Sequence, residues 1–198
     1  MSQLIIAIGR ESGSGGLEIA RTLADRFGLP LYDKSILQSA AEDRGVDPKS
    51  LEQYDERPRS PLFYRSIKGF SSAPEDGVAQ MQFDLLRRHA AAGESFVVLG
   101  RCGEQVLKNN PNCISIFICG NPQFKLGRIM ETLNLDTEQA IEEIKSVDRS
   151  RKNYHNYYCD TKWGDARGYD MTIKSNVLGC EETAEMLVSY IRRFMAQD

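Results

Sequence analysis

Residues 9 to 16 read Gly-Arg-Glu-Ser-Gly-Ser-Gly-Gly, between an apolar run and a segment of helical period. Small residues there let successive backbone N–H groups turn inward at the positive end of a helix, which is how proteins hold phosphate without spending side chains. Arg10, Ser12, Gly13, Ser14, Gly15, Gly16 and Leu17 are therefore candidate phosphate binders. The full phosphate-loop motif is G-x-x-x-x-G-K-[ST], with Lys on the β/γ-phosphates and the hydroxyl on Mg²⁺. Aligned on Gly15, the first glycine is Arg10, the lysine is Gly16 and the hydroxyl residue is Leu17, so three of the four diagnostic positions differ. A tightly packed strand-to-helix turn that binds nothing is the competing interpretation. The dinucleotide pattern G-x-G-x-x-G fits less well, because Glu18 stands at its last glycine and Asp33 is too close to serve as the ribose-binding acid.

Further along, Lys145, Arg149 and Lys152 share one helical face by spacing, and Arg151 lies on a neighbouring one. The alternative for this charged helix is a solvated surface on which Asp148 and Lys152, four apart, form a plain pair worth little. Arg101 follows an apolar strand at its C-terminal end, where ligands bind in open α/β sheets. Asp33 reads as the N-cap of the next helix. Arg57, Arg59, Arg65 and Lys68 are scattered cations that could steer an anionic acceptor.

Strand-length apolar runs alternating with helical segments must position these groups, and that alternation predicts an α/β fold with a mainly parallel sheet. Leu4–Ile8 is the first strand, its unbroken apolar character suggesting burial on both faces. Ile19, Leu23 and Phe27 continue as a helix ended by Gly28 and Pro30. Leu31-Tyr32 is a short strand, and Ile36, Leu37 and Ala40 mark a helix. Residues 55 to 76 have no sustained period and read as a loop or loosely ordered insert. Then come a helix at Val78–Ala92, strands at Ser95–Leu99 and Cys113–Cys119, and a helix from Pro122. Asp136 with Gln139 resembles a capping box and opens a helix with Ala140, Ile141, Ile144 and Val147 as its apolar stripe. A strand at Tyr169–Ile173 and a helix at Glu181–Met195 follow. No internal repeat or second domain is visible.

Composition narrows the function classes. The 198 residues carry 25 Lys plus Arg against 28 Asp plus Glu, a net charge of −3, which argues against a nucleic-acid binder. At 41% hydrophobic the chain is of ordinary globular composition. No apolar run approaches the roughly 20 residues of a membrane span, so a soluble cytoplasmic protein is expected, with no membrane partner and an oligomeric state of monomer or homodimer. The five cysteines, Cys102, Cys113, Cys119, Cys159 and Cys180, form no C-x-x-C pair and read as reduced, small, buried or half-buried hydrophobes. Two histidines with no cysteine pair nearby argue against zinc.

IAIGRESGSGGLEIARTLADRFGLPLYDK, FVVLGRCGEQVL, IFICGNPQFKLGRIME, VDRSRKNYHNYY and YDMTIKSNVLGCEETAEMLVSYI, in this order over nearly the whole chain, resemble the cytidylate kinase-like family, relatives of the nucleoside monophosphate kinases whose loop reads G-S-G-G. The resemblance implies a three-layer P-loop NTPase-like α/β fold over 1–198, with a five-stranded parallel sheet. It also implies a helical acceptor-binding insert at about 34–93 and a basic helical lid at about 128–162. The activity it implies moves the γ-phosphoryl group of ATP, with Mg²⁺, to a nucleoside monophosphate such as CMP or dCMP, or to a related small phosphate-bearing acceptor.

Such transfer needs in-line positioning and cations around the equatorial oxygens. By resemblance Arg149 and Arg151 on the lid and Arg128 at its base are the catalytic candidates, and Asp33, Lys34 and Arg101 face the acceptor. No residue is a direct metal ligand; Asp33 would act through water. Cys102 replaces the Asp of the family's Gly-Arg-Asp. Arg10 and Lys34 are placed to supply the charge missing at Gly16, whose loss costs several kcal/mol of transition-state stabilisation unless replaced. The alternative is a nucleotide-binding sensor or interaction module without phosphotransfer.

Overall fold

The computed structural model of the chain describes residues 3–33, 35–51, 54–55, 66–67, 70–71 and 74–196. Lys34, Arg57, Arg59, Arg65 and Lys68 lie outside them. The elements run β1 (Ile5–Arg10), α1 (Gly16–Phe27), β2 (Leu31–Tyr32), α2 (Ser35–Asp43), α3 (Pro48–Leu51), β3 (Ser66–Ile67), β4 (Phe70–Ser71) and α4 (Pro74–Ala91). They continue with β5 (Phe96–Leu99), α5 (Gly103–Val106), β6 (Cys113–Cys119), α6 (Pro122–Leu133), α7 (Thr137–Tyr158), β7 (Met171–Lys174) and α8 (Gly179–Met195).

Five strands form a parallel sheet in the order β2-β5-β1-β6-β7. Successive side chains of a strand face opposite sides, and β1 shows the result. Leu4, Ile6 and Ile8 pack with Ile19 and Leu23 of α1 and Leu187 and Ile191 of α8. Ile5 and Ala7 pack with Ile36 and Ala40 of α2 and Leu85 and Leu86 of α4. A sheet covered on both faces explains why these strands read as continuous apolar runs, and the expected three-layer α/β architecture is the one observed.

β1 is the strand on which the site is built. It is flanked by β5 on one side and β6 on the other, with β2 beyond β5 and β7 beyond β6, so the strand order reverses at β1, a topological switch point where ligands bind in open α/β sheets. Its pairing with β5 ends at Ile8–Leu99, while its pairing with β6 continues through Gly9–Phe117 to Arg10–Ile118. A crevice therefore opens between the ends of β1 and β5, with Arg10 at one lip and the Gly100-Arg101 turn at the other.

Several boundaries differ from the sequence pattern. The described part of 55–76 contains the antiparallel pair β3–β4 and the start of α4. α4 begins at Pro74, whose fixed φ suits a first helical turn already carrying Glu75 and Asp76. The stripe of α7 is narrower than expected, because Ile141 is exposed while Ala140 is buried. Among the described residues no helix is long and apolar enough to cross a membrane.

The capping box forms as read. Asp136 accepts from the Gln139 N–H at 2.9 Å and the Gln139 side chain accepts from the Asp136 N–H at 3.1 Å. Asp136→Ala is expected to lower stability in urea by about 1 kcal/mol; an unchanged midpoint would show that packing alone fixes the start of α7.

Candidate functional site

The loop after β1 turns through Gly13 (φ 74°) and Gly15 (φ 78°), and α1 starts at Gly16. Ser14 is fully buried and its hydroxyl donates to the Glu11 carbonyl at 2.8 Å. The Ser14 carbonyl accepts from Ser175 Oγ at 2.6 Å, which ties the loop to the end of β7. Ser14 is thus loop scaffold. Arg10, Ser12, Gly13, Gly15, Gly16 and Leu17 instead line an open cleft of about 810 Å³, a volume suited to a small-molecule ligand.

Gly16 has a steric reason to lack the lysine of the standard motif. A Cβ there would lie 2.6 Å from Arg10 Cβ and 3.0 Å from its Cγ. The stem of Arg10 occupies that space.

A second constraint comes from across the loop. Ser12 N–H donates to Asp148 Oδ1 of α7 at 2.6 Å. Lys125 Nζ of α6 donates to the other oxygen of Asp148 at 2.8 Å and to Glu11 Oε2 in the loop at 3.1 Å. Burial works against charge on Lys125, but hydrogen bonds and attraction from Asp148, then Glu11, outweigh it and raise its pKa. Gly13 presses on the same helix, where a Cβ would meet the Lys125 carbonyl at 2.6 Å. Loop, α6 and α7 are therefore one bolted unit. The spacing of Asp148 and Lys152 allows a surface pair between them. The structure corrects this, because Asp148 faces inward and Lys152 is exposed.

That orientation decides which arginine of α7 reaches the cleft. Arg151, one turn beyond Asp148 on the same face, lines it, as do Arg128 and Asp33. Arg149 is exposed and lines neither this cleft nor the cavity beside it. Arg128 Nη2 donates to Glu18 at 2.6 Å and its guanidinium lies 5.6 Å above the Phe124 ring. Asp33 accepts from the Ser35 N–H at 3.1 Å, so it caps α2 and faces the cleft at once.

Arg101 belongs to the adjoining cavity, about 20 Å³, room for roughly one water. It is 2% exposed, and Nη2 donates to Asp55 at 2.7 Å. Gln82, also buried, donates to the other Asp55 oxygen at 2.9 Å. Arg101 (φ 56°) and Cys102 (φ 52°) are both left-handed, a conformation costing of order 1–3 kcal/mol per non-glycine residue and concentrated at functional sites. Arg10 and Arg151 line both the cleft and this cavity, so the two spaces meet at their side chains. Sequence reasoning missed Glu11, Lys125, Asp148 and Asp55. An acid inside a phosphate loop was the one available signal, since it calls for a cation.

The model of the cytidylate kinase-like family matches residues 5–177. The chain is 25% identical over 199 residues to the cytidylate kinase of Methanopyrus kandleri, covering 95% of this chain and 93% of that one. It superposes on an uncharacterized protein from Eubacterium ventriosum with a TM-score of 0.77 at 37% identity, over 96% of this chain and 99% of the other. Shikimate kinase from Acinetobacter baumannii, solved with shikimate, gives a TM-score of 0.52 at 14% identity over 98% and 94%, a likeness of fold.

Two outcomes follow from this geometry. Gly16→Lys is expected to destabilise the protein without tightening ATP binding in calorimetry, and Arg10→Ala in the same chain to restore stability; a stable single variant with tighter binding would contradict the steric account. Asp148→Asn and Lys125→Met are expected to be non-additive in urea unfolding, with a coupling of about 0.5–3 kcal/mol. Additive effects would mean the bolt is idle.

Proposed function

The chain belongs to the cytidylate kinase-like family, and from that premise we propose that it is an ATP-dependent kinase that phosphorylates a nucleoside monophosphate, with CMP or dCMP the expected acceptors. One observation carries the proposal: Arg10 and Arg151 stand where the phosphate-loop cleft and the Arg101 cavity join. A phosphoryl group passing between two substrates would cross that junction, where cations are most effective.

In this reading the loop N–H groups and the α1 N-terminus hold the ATP phosphates. Leu17, Ile129 and Leu133 give the cleft its apolar wall for the base. Arg101 would hold the acceptor phosphate once its contact with Asp55 opens, because the closed cavity has room for about one water. Arg10 and Arg151 flank the transferring group, and Arg128 leaves Glu18 to join them. The acceptor oxygen attacks the γ-phosphorus in line as the bond to the β-phosphate oxygen breaks, giving ADP and a nucleoside diphosphate.

Mg²⁺ is usually held by substrate phosphates, waters and one or two carboxylates. With Leu17 at the hydroxyl position and Asp33, Asp25 and Glu18 on the cleft wall, the donor set fits that mode. Asp33 would hold the ion through water, and the ion would neutralise charge on the phosphates. Leu17 and Gly16 also favour a second reading, nucleotide binding without turnover.

The assay incubates ATP, Mg²⁺ and a panel of nucleoside monophosphates and separates the products chromatographically. Conversion of CMP or dCMP to the diphosphate is expected, with kcat lowered about 10³-fold or more by Arg151→Ala and little changed by Arg149→Ala. Thermal stabilisation by ATP with no ADP above the Arg151→Ala control would establish the second reading.

A further inference from the structure

The end of α7 and the turn that carries Arg101 bring two thiols together beside a buried ion pair. Glu104 Oε1 lies 2.8 Å from His155 Nε2 and 3.8 Å from Cys159 Sγ, and polar atoms of these three side chains all lie within 4.8 Å of one another. Cys102 stands outside that trio but touches its cysteine. The Cys102 thiol donates a hydrogen bond to Cys159 Sγ, and both residues pack with Phe83 and Tyr154 in one small buried cluster. Neither thiol is in a disulfide.

A cysteine reacts as its thiolate, and its surroundings set Cys159 apart. The hydrogen bond from Cys102 lowers its pKa; burial works against this, a hydrogen bond from His155 adds to it, and the Glu104 charge opposes it. His155 is the matching cation. Burial disfavours its charge, but hydrogen bonds to Cys159 and then Glu104 raise its pKa to about 10. Three other thiols move the opposite way, since burial raises Cys113 to about 12 and raises Cys119 and Cys180 as well. A small uncharged oxidant has two approaches. Cys102 and His155 line the cavity that meets the open cleft at Arg10 and Arg151, and Cys159 ends α7 just before the exposed Asp160.

We propose that Cys159 and Cys102 form an oxidation site for hydrogen peroxide, with Cys159 the attacking thiolate and Cys102 the thiol that resolves it to a disulfide. In the first step the Cys159 sulfur bonds to one peroxide oxygen as the O–O bond breaks. The departing hydroxide takes the His155 proton and leaves as water, and Cys159 becomes a sulfenic acid. In the second step the Cys102 sulfur attacks the sulfenic sulfur, the S–O bond breaks, and the hydroxide leaves with the Cys102 proton as a second water. The two sulfurs together lose two electrons, and the peroxide gains them. C-x-x-C spacing is absent because each segment supplies one thiol, and the disulfide would join the end of α7 to the turn that carries Arg101.

The test treats the full chain, reduced and desalted, with equimolar hydrogen peroxide at neutral pH and maps its thiols by peptide mass spectrometry. It involves neither ATP nor turnover, so its result is independent of the kinase reading. Wild type is expected to give a Cys102–Cys159 cross-linked peptide, lighter by two hydrogens than the separate peptides. C102S is expected to accumulate a sulfenic acid on Cys159, trapped by dimedone, and H155Q to slow loss of the Cys159 thiol several-fold. Folded wild type that yields no such cross-link, or whose Cys113, Cys119 or Cys180 is oxidised first, overturns the proposal whatever the variants do. An unchanged rate in a folded H155Q overturns it as well.

Discussion

Everything at the mouth of the sheet depends on one ammonium group. Lys125 stands between Glu11, in the phosphate loop, and Asp148, on α7, and Asp148 in turn holds the Ser12 N–H. A buried ion pair adds little net stability, since desolvation consumes most of the attraction, yet losing one partner costs about 3–5 kcal/mol. Its contribution here is position. With Asp148 fixed, the helical repeat carries Arg151, Tyr154 and His155 along the inner face of α7, while Lys145, Arg149 and Lys152 are turned outward. The bolt thus selects which cation of α7 faces the cleft.

The altered loop then reads as a relocation of charge. The standard lysine projects from the first turn of the helix; here that turn begins with Gly16 because the stem of Arg10 fills the space beside it. Arg10 sits on β1, whose extra two residues of pairing with β6 carry it past the end of β5. On the opposite lip Arg101 is held by Asp55 in a left-handed turn. Guanidinium groups mounted on the sheet flank the crevice, and those on α6 and α7 cover it.

What the sequence revealed and what it hid divide along a physical line. Unbroken apolar runs, the period of 3.6, the capping box at Asp136 and the glycine turn at 9–16 are local patterns, and each corresponds to an observed element. Pairings across the fold leave no such trace. Ser12 and Asp148 are 136 residues apart, so the nearest partner in the sequence, Lys152, was the wrong one for Asp148. Arg149 and Arg151 are equally plausible on a charge pattern and differ only in which face the bolt turns inward. The convergence of Glu104, His155 and Cys159 is invisible for the same reason. Even the start of α4 was misplaced, because Pro74 reads as a breaker until it is seen at a first helical turn.

The central claim is that Arg10 and Arg151 stand on either side of the phosphoryl group in transit. A structure with a bisubstrate analogue, adenosine and cytidine joined through a phosphate chain, tests it directly. Guanidinium nitrogens of both residues are expected within hydrogen-bond distance of the bridging phosphates, with the Asp148–Ser12 contact intact. A phosphate chain bound elsewhere, or bound with Arg151 turned to solvent and Arg149 in its place, would contradict it.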